Sequence, residues 1–255
     1  MAKRIEYLKV SENKRINKDT FLIELLSDVS LPEIKPGQFI QVKIENSSGT
    51  FLRRPFSVHD VNYEHKTIKI LFQVVGKGTQ ALSGLAPGDC LNIIYPLGNS
   101  FSLPEEGTKC LLIGGGCGIA PLLFLGKYLK SHGTIPYILL GFRNKERIIE
   151  VSEYEEIGKV FLSTEDGSSG EKGFITDHSL LRSEKFETVY CCGPEMMMRS
   201  VTEYCIKNGI KCEISLENLM GCGIGACLCC VVDTIKGRLC TCTDGPVFNI
   251  KELKW

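Results

Sequence analysis

Hydrophobic positions in the first hundred residues fall into short runs rich in β-branched and aromatic side chains: "RIEYLKV", "TFLIELL", "QFIQVKIE", "PFSVHDV", "TIKILFQVV" and "CLNIIYPLG". Turn-forming residues separate them at Pro36-Gly37, Asn46 to Gly49 and Pro87-Gly88-Asp89. Six such runs with no helical period between them predict a small antiparallel β-barrel over residues 1–103. From about Lys109 the pattern changes. "KCLLIGG" precedes "PLLFLGKYLKSHG", "PYILLGF" precedes "KERIIEVSEYEEIG", "VFLSTED" precedes "ITDHSLLRSEKF", "TVYCCGP" precedes "EMMMRSVTEYCIKNG", and "KCEISLE" ends the series. Apolar runs alternating with helix-length segments predict a parallel sheet with helices on both faces over residues 104–213. Residues 214–255 carry six cysteines and little regular patterning, as expected of a small module held together by a bound ligand.

A chain of 255 residues with 43% apolar content is long enough for two domains plus such a module. Thirty basic and thirty acidic side chains cancel, which argues against nucleic acid or an anionic membrane as partner. The N-terminus shows no apolar leader, and no run approaches 18 apolar residues, so the expectation is a cytoplasmic protein without a membrane span. In that reducing compartment, thirteen cysteines clustered toward one end point to metal or redox chemistry and away from a disulfide framework.

Four constellations carry the candidate chemistry. In "LLIGGGCGIAPL" a buried strand runs into Gly114, Gly115, Gly116 and Gly118 and then a helix opening near Pro121, so backbone N–H groups could meet a pyrophosphate. The strict G-x-G-x-x-G spacing is not met and no acidic residue ends the second strand, which disfavours the usual Rossmann dehydrogenase. "CCGPE" places Cys192, Gly193 and Pro194 at the end of the fourth strand, where the turn could face the same crevice, while Cys191 reads as a small core residue. "LRRPFSV" offers the Arg54 guanidinium for phosphate and the Ser57 hydroxyl for a ring nitrogen, next to Pro55 and Phe56, with "GKGT" downstream. Finally, "MGCGIGACLCC" spaces Cys222, Cys227 and Cys230 as C-x4-C-x2-C, the plant-type [2Fe-2S] pattern, with Cys240 and Cys242 both available as a fourth ligand. A four-thiolate zinc site is the rival, although a second C-x2-C pair is missing. Gly223 and Gly225 would let the loop turn N–H groups toward sulfur.

Taken in order, "RRPFSV", "GKGT", "IGGGCGIAPL", "YCCGPEMM", "SLENLMGCGIGACLCC" and "CTDGPVF" resemble the electron-transfer subunit of the NAD-dependent, two-subunit bacterial dihydroorotate dehydrogenases, across essentially the whole chain. The flavin and nicotinamide motifs are common to ferredoxin reductase-like proteins; the cysteine loop followed by Cys-x-Asp-Gly-Pro-Val-Phe is more specific. The resemblance implies a ferredoxin reductase-like fold with an FAD barrel, an NAD domain and a [2Fe-2S] module. It implies Arg54, Pro55, Phe56 and Ser57 as the flavin motif, with Leu71, Phe72 and Gln73 at the flavin ring or ribityl chain and Gly78 and Thr79 at its pyrophosphate. It further implies Gly114 to Pro121 and Cys192, Gly193 and Pro194 at the nicotinamide dinucleotide, and Cys222, Cys227, Cys230 and Cys242 as cluster ligands. Cys242 takes precedence over Cys240 because Asp244-Gly245-Pro246 follows it at the family's offset, although only eleven residues separate Cys230 from Cys242.

Three modules leave no residue block for an organic substrate, so the chain reads as half of an enzyme. Nicotinamide exchanges two electrons and a [2Fe-2S] cluster one, which puts FAD between them. The family implies electrons from dihydroorotate, passed on by the FMN of a catalytic subunit in a heterotetramer of two plus two, reaching NAD+ in pyrimidine (UMP) biosynthesis. A ferredoxin:NAD(P) or sulfide-type oxidoreductase subunit, and a non-catalytic redox-sensing flavin and cluster protein, are the alternatives. Arg143 and Lys145 leave NAD against NADP to the resemblance.

Overall fold

The computed structural model describes residues 3–45 and 49–254; most of the turn expected at Asn46 to Gly49 lies outside the described residues. Seven strands form the first sheet: β1 (Arg4–Arg15), β2 (Thr20–Leu26), β3 (Phe39–Val42), β4 (Arg54–Ser57), β5 (Asp60–Asn62), β6 (Thr67–Gln73) and β7 (Cys90–Leu97). They pair antiparallel in the order β4-β3-β7-β1-β2-β6-β5. Strand alternation divides the side chains by face. Ile40 and Val42 enter a core with Ile68, Ile70 and Phe72, while Phe39 points the other way into a cluster with Cys230, Cys240 and Cys242. The Phe56 and Phe72 rings, 5.6 Å apart, draw β4 over β6 and curl the sheet into a barrel.

Two features depart from the hydrophobic pattern. "PFSVHDV" supplies parts of two strands, β4 and β5, and "GKGT" opens a short helix, α1 (Lys77–Ser83). That helix starts because the Thr79 hydroxyl accepts the N–H groups of Val75 and Gly76 at 2.9 and 3.2 Å. Buried Leu82 then anchors it on the barrel core.

The second sheet contains β8 (Cys110–Gly115), β9 (Tyr137–Phe142), β10 (Lys159–Thr164), β11 (Glu171–Lys172), β12 (Thr188–Cys192) and β13 (Lys211–Ser215). In chain order there follow the separate hairpin β14 (Val231–Thr234) and β15 (Gly237–Cys240), then β16 (Val247–Asn249), which joins this sheet. The order is β11-β10-β9-β8-β12-β13-β16, parallel except for the last pair. The sheet is apolar on both faces: Cys110, Leu112 and Tyr190 pack into one core, Leu111, Ile113, Val189 and Cys191 into another. Helix α2 (Ala120–Ser131) covers the first face and α5 (Glu195–Asn208) the second.

The two middle helices are shorter than the periodicity predicts, namely α3 (Val151–Glu155) and α4 (Leu180–Ser183). Ile148 turns extended, Ile149 is drawn into the core, and Glu150 sits left-handed at φ +43°, so the helical run cannot start before Val151. Extended backbone at His178 interrupts the other segment. Tertiary burial overrides the helical period in both. Barrel and sheet also share a core, since Leu22 and Leu71 pack with Leu122, Leu125 and Tyr190. Buried His59 bridges the two units, with its ring nitrogens 2.8 Å from the Ala120 carbonyl and 3.2 Å from the Glu150 carboxylate. Lys127 pairs with Asp60 at 2.7 Å, and Arg147 with Asp19. Among the described residues no helix is long and apolar enough to cross a membrane.

At the end of β8 the backbone approaches β12 closely enough to exclude a side chain. A Cβ on Gly118 would lie 2.4 Å from Gly193 Cα and 2.7 Å from the Cys192 carbonyl oxygen. Gly118→Ala should therefore destabilise the protein by about 1–3 kcal/mol in urea denaturation. Gly76→Ala, which meets no atom within 4 Å, should stay within about 0.5 kcal/mol of the parent.

Candidate functional site

Strand β8 pairs with β12 so that Gly114 lies opposite Cys192. Their following turns therefore emerge side by side at the carboxyl edge of the sheet, where open α/β sheets bind ligands. Glycine meets glycine here: besides Gly118 on Gly193, a Cβ on Gly193 would lie 3.0 Å from Gly115 N, and one on Gly115 would meet Pro194 at 3.0 Å and Met197 Sδ at 2.5 Å. Gly116, at φ +53°, has open space around it. These turns wall a crevice of about 1040 Å³, lined also by Thr20 and Gln73 of the barrel and by Glu217 and Val231 of the C-terminal segment. Of the residues expected there, Gly115, Gly116, Gly118, Gly193 and Pro194 line the crevice. Gly114, Pro121 and Cys192 stand behind its wall. Gly114 is packed against Ile119 and Leu122, Pro121 is buried in the first turn of α2, and the Cys192 thiol is buried and pushed well above its ordinary value by that burial. Cys191 is a buried core residue.

On the barrel, Arg54 and Gly78 come together, since a Cβ on Gly78 would sit 3.5 Å from Arg54 Nε. The Arg54 guanidinium is oriented by the Leu52 carbonyl at 2.8 Å. Pro55 and Ser57 share a face of β4, opposite Gln41 and Phe39 of β3, while Phe56 turns inward toward Phe72. Leu71 and Phe72 are buried core side chains, so only their backbone and the Gln73 side chain remain for a ligand. Gln73 is engaged with Asp19 at 3.0 Å, and Asp19 is held below the usual carboxylate range first by its bond to Arg147. The Thr79 hydroxyl is consumed in the α1 turn, which leaves its backbone. An arginine over a glycine, beside a half-buried polar strand, fits a phosphate with an attached aromatic group.

The cysteine loop shows the arrangement anticipated for Gly223 and Gly225, which take φ +70° and +84°. The N–H groups of Ile224, Ala226 and Cys227 donate to Cys222 Sγ at 3.4, 3.2 and 3.4 Å, Gly225 N–H donates to Cys242 Sγ at 3.2 Å, and Cys222 N–H to Cys227 Sγ at 3.4 Å. Burial raises the Cys222 thiol, but these donors outweigh it and lower it to about 6. Donors converging on sulfur fit thiolates that carry a metal group. Cys230 and Cys242 are buried against Phe39 and Leu97, whereas Cys229 is exposed. Cys240 serves as a turn pivot: its N–H meets Asp244 at 2.7 Å and its carbonyl accepts from Thr243, Asp244 and Gly245. Of these two sulfurs, the loop N–H of Gly225 reaches that of Cys242. Among the described residues no three ligating side chains converge at single-ion spacing.

Sequence reasoning passed over Glu217, which ends the fifth parallel strand run and lines the crevice while staying exposed. Its signal was its place at a strand's carboxyl end. Cys117 sits within the Gly114 to Pro121 motif without being singled out by it, whereas Asp19, Thr20 and Arg147 carried no local signal, because they meet only when the barrel packs on the sheet. Burial pushes the Cys117 thiol up to about 11.

Three family descriptions match the chain. Residues 7–101 match the oxidoreductase FAD-binding domain, 112–203 the oxidoreductase NAD-binding domain, and 217–254 the iron-sulfur cluster binding domain of dihydroorotate dehydrogenase B. The chain is 39% identical over 249 residues to the dihydroorotate dehydrogenase B (NAD(+)) electron transfer subunit of Caldanaerobacter subterraneus subsp. tengcongensis, covering 96% of each. It is 38% identical to that of Clostridium acetobutylicum, over 99% of this chain and 98% of the relative. Among solved structures, the NADH-dependent reduced ferredoxin-NADP oxidoreductase superposes with a TM-score of 0.89 at 32% identity, over 97% of this chain and 90% of the other. A flavohemoglobin from Malassezia yamatoensis, 19% identical over 82% of this chain and 60% of its own, shares the fold with a TM-score of 0.72. The resemblance read from the motifs, the ferredoxin reductase-like architecture and the presence of FAD-, NAD- and iron-sulfur-binding domains are thereby established, and the chain belongs to the family of dihydroorotate dehydrogenase B electron transfer subunits.

Proposed function

We propose that this chain passes electrons between a dihydroorotate-oxidising catalytic subunit and NAD+, as the electron-transfer half of an NAD-dependent dihydroorotate dehydrogenase in pyrimidine biosynthesis. The observation that carries the reading is the near full-length identity to named electron transfer subunits, which includes the cysteine loop. The partner is an FMN-containing subunit, the assembly two plus two, and the compartment the cytoplasm. Residues 1–103, 104–213 and 214–255 serve as FAD, NAD and [2Fe-2S] units.

Bound between the other two groups, a flavin supplies the conversion between hydride exchange at nicotinamide and single-electron exchange at a [2Fe-2S] cluster. The chain's own residues do the positioning. Arg54 holds phosphate over Gly78, and Ser57, with Pro55 beside it, borders the ring. Gly115, Gly116, Gly118, Gly193 and Pro194 bring backbone close to the dinucleotide. Leu22, Leu71 and the buried base of the crevice keep water from the junction of barrel and sheet. Cys222, Cys227, Cys230 and Cys242 ligate the cluster, with N–H groups stabilising negative charge on sulfur.

A second reading has its own support in the likeness to the NADH-dependent reduced ferredoxin-NADP oxidoreductase, at 32% identity. Reconstitution separates the two. The chain should co-purify with the dihydroorotate-oxidising subunit of its host and be required for dihydroorotate-dependent NAD+ reduction; equal rates with and without it defeat the assignment. Iron and sulfide analysis should find two of each per chain. Cys229→Ser should retain that iron and Cys227→Ser should lose it. Arg54→Ala, which removes charge-assisted hydrogen bonds, should weaken FAD binding about tenfold to a hundredfold, read by flavin fluorescence on dilution.

A further inference from the structure

Gln41 stands between the flavin strand and the cysteine loop. It lies on β3 directly opposite Pro55 of the flavin motif, and the next pair on that face is Phe39 and Ser57. Residues facing each other across an antiparallel pair project to the same side of the sheet. On this side the barrel meets the cysteine loop: Phe39 packs with Cys230 and Cys242, and a Cβ on Gly223 would lie 2.6 Å from Gln41 Nε2 and 2.7 Å from its Cγ. Gly223 links Cys222 to Ile224, whose N–H donates to the Cys222 sulfur. The Gln41 side chain therefore touches the loop backbone between a ligand and one of its donors.

The amide is an unusual group to leave there. Gln41 is fully buried; among the described residues its Nε2 donates only to the Met220 sulfur, at 3.8 Å, and its Oε1 has no hydrogen-bond partner. A thioether is a weak acceptor, so both ends of a buried amide are poorly satisfied, and that arrangement disfavours folding. Its neighbours Ile40 and Val42 point into the barrel core, which shows that an apolar side chain is readily accommodated elsewhere on the strand. The amide nitrogen reaches the cysteine loop at Met220 and Gly223, and the packing gives the amide no stronger partner among the described residues.

We propose that Gln41 is a positioning residue for electron exchange between flavin and cluster: it spaces the cysteine loop from the flavin strand, and its amide dipole sets the polarity felt by the cluster. This rests on the reading of the chain as a flavin and cluster carrier. The exchange moves one electron at a time from NADH-reduced flavin to oxidised cluster, or back, with no bond made or broken. A cluster that gains an electron gains negative charge, so its reduction equilibrium responds to the charge and dipoles nearest its ligands.

The test uses the full-length protein after flavin and iron content have been measured on the parent; absence of either from the parent sinks the functional reading, not this inference alone. Gln41→Met keeps side-chain volume and removes the amide, and Gln41→Glu keeps shape and adds charge. In protein loaded to parental flavin and iron, Gln41→Glu should shift the cluster's reduction equilibrium at least tenfold toward the oxidised state, about 59 mV for one electron. Gln41→Met should alter the g-values of the reduced cluster in electron paramagnetic resonance and slow its reduction by NADH at least threefold in stopped flow. Parental g-values, potential and rate in loaded Gln41→Met overturn the proposal whatever Gln41→Glu does. So does loss of both flavin and iron from Gln41→Met, which would assign the residue to packing.

Discussion

The relation of the three units depends on one clamped segment, residues 244–249. Strand β16 pairs antiparallel with β13, and Leu216 N–H donates to the Pro246 carbonyl at 2.9 Å, so the segment belongs to the parallel domain's sheet. Its other side is held by the barrel. Asn99 donates through its backbone to Gly245 at 2.6 Å and through its side chain to Asp244 at 2.7 Å, and a Cβ on Gly98 would strike Pro246 at 2.5 Å. Gly37 gives way to Val247 in the same manner. Both barrel glycines have positive φ, which other residues rarely adopt. A cysteine module fastened to both neighbours cannot drift, and electron exchange over fixed distances requires that.

The crevice follows from the same clamp. Its floor is the glycine contact between the turns after β8 and β12, its barrel wall is Thr20 and Gln73, and its far wall is Glu217, just past the strand that β16 pairs with, and Val231 at the start of β14. Asp19, Gln73 and Arg147 tie the barrel wall to the sheet. One cavity therefore touches all three units, and the flavin strand and the cysteine loop approach each other on an adjoining face through Phe39 and Gln41. Chemistry that converts paired to single electrons needs this proximity more than it needs any acid or base.

What could be read in advance depended on locality. The barrel strands, the βαβ succession and α2 and α5 were legible because period and turn residues act within a dozen positions. The short α1 was not, and for α3 and α4 the place was legible but the length was not, since Thr79 capping, the burial of Ile149 and the left-handed Glu150 answer to neighbours or to the core. Among the candidate residues, motif spacing located Gly115, Gly116, Gly118 and Gly193, which line the crevice. Leu71, Phe72 and Cys192 lay in motifs and proved to be wall and core.

By itself the amino-acid sequence determined the class of each unit, the C-x4-C-x2-C cysteine spacing and the family, because ladder periods, cysteine spacing and motif order are properties of contiguous chain. Tertiary structure decided which sulfurs the loop N–H groups reach, that Cys240 is a turn pivot while Cys242 accepts from Gly225 N–H, and that a strand of the cysteine module completes the second sheet. It alone brought Gln41 within reach of Gly223, 182 positions along the chain (223 − 41). The physical reason is that hydrogen bonds and close packing are selected by distance in space, and no local pattern encodes a contact between residues that meet only after three units have closed on one another.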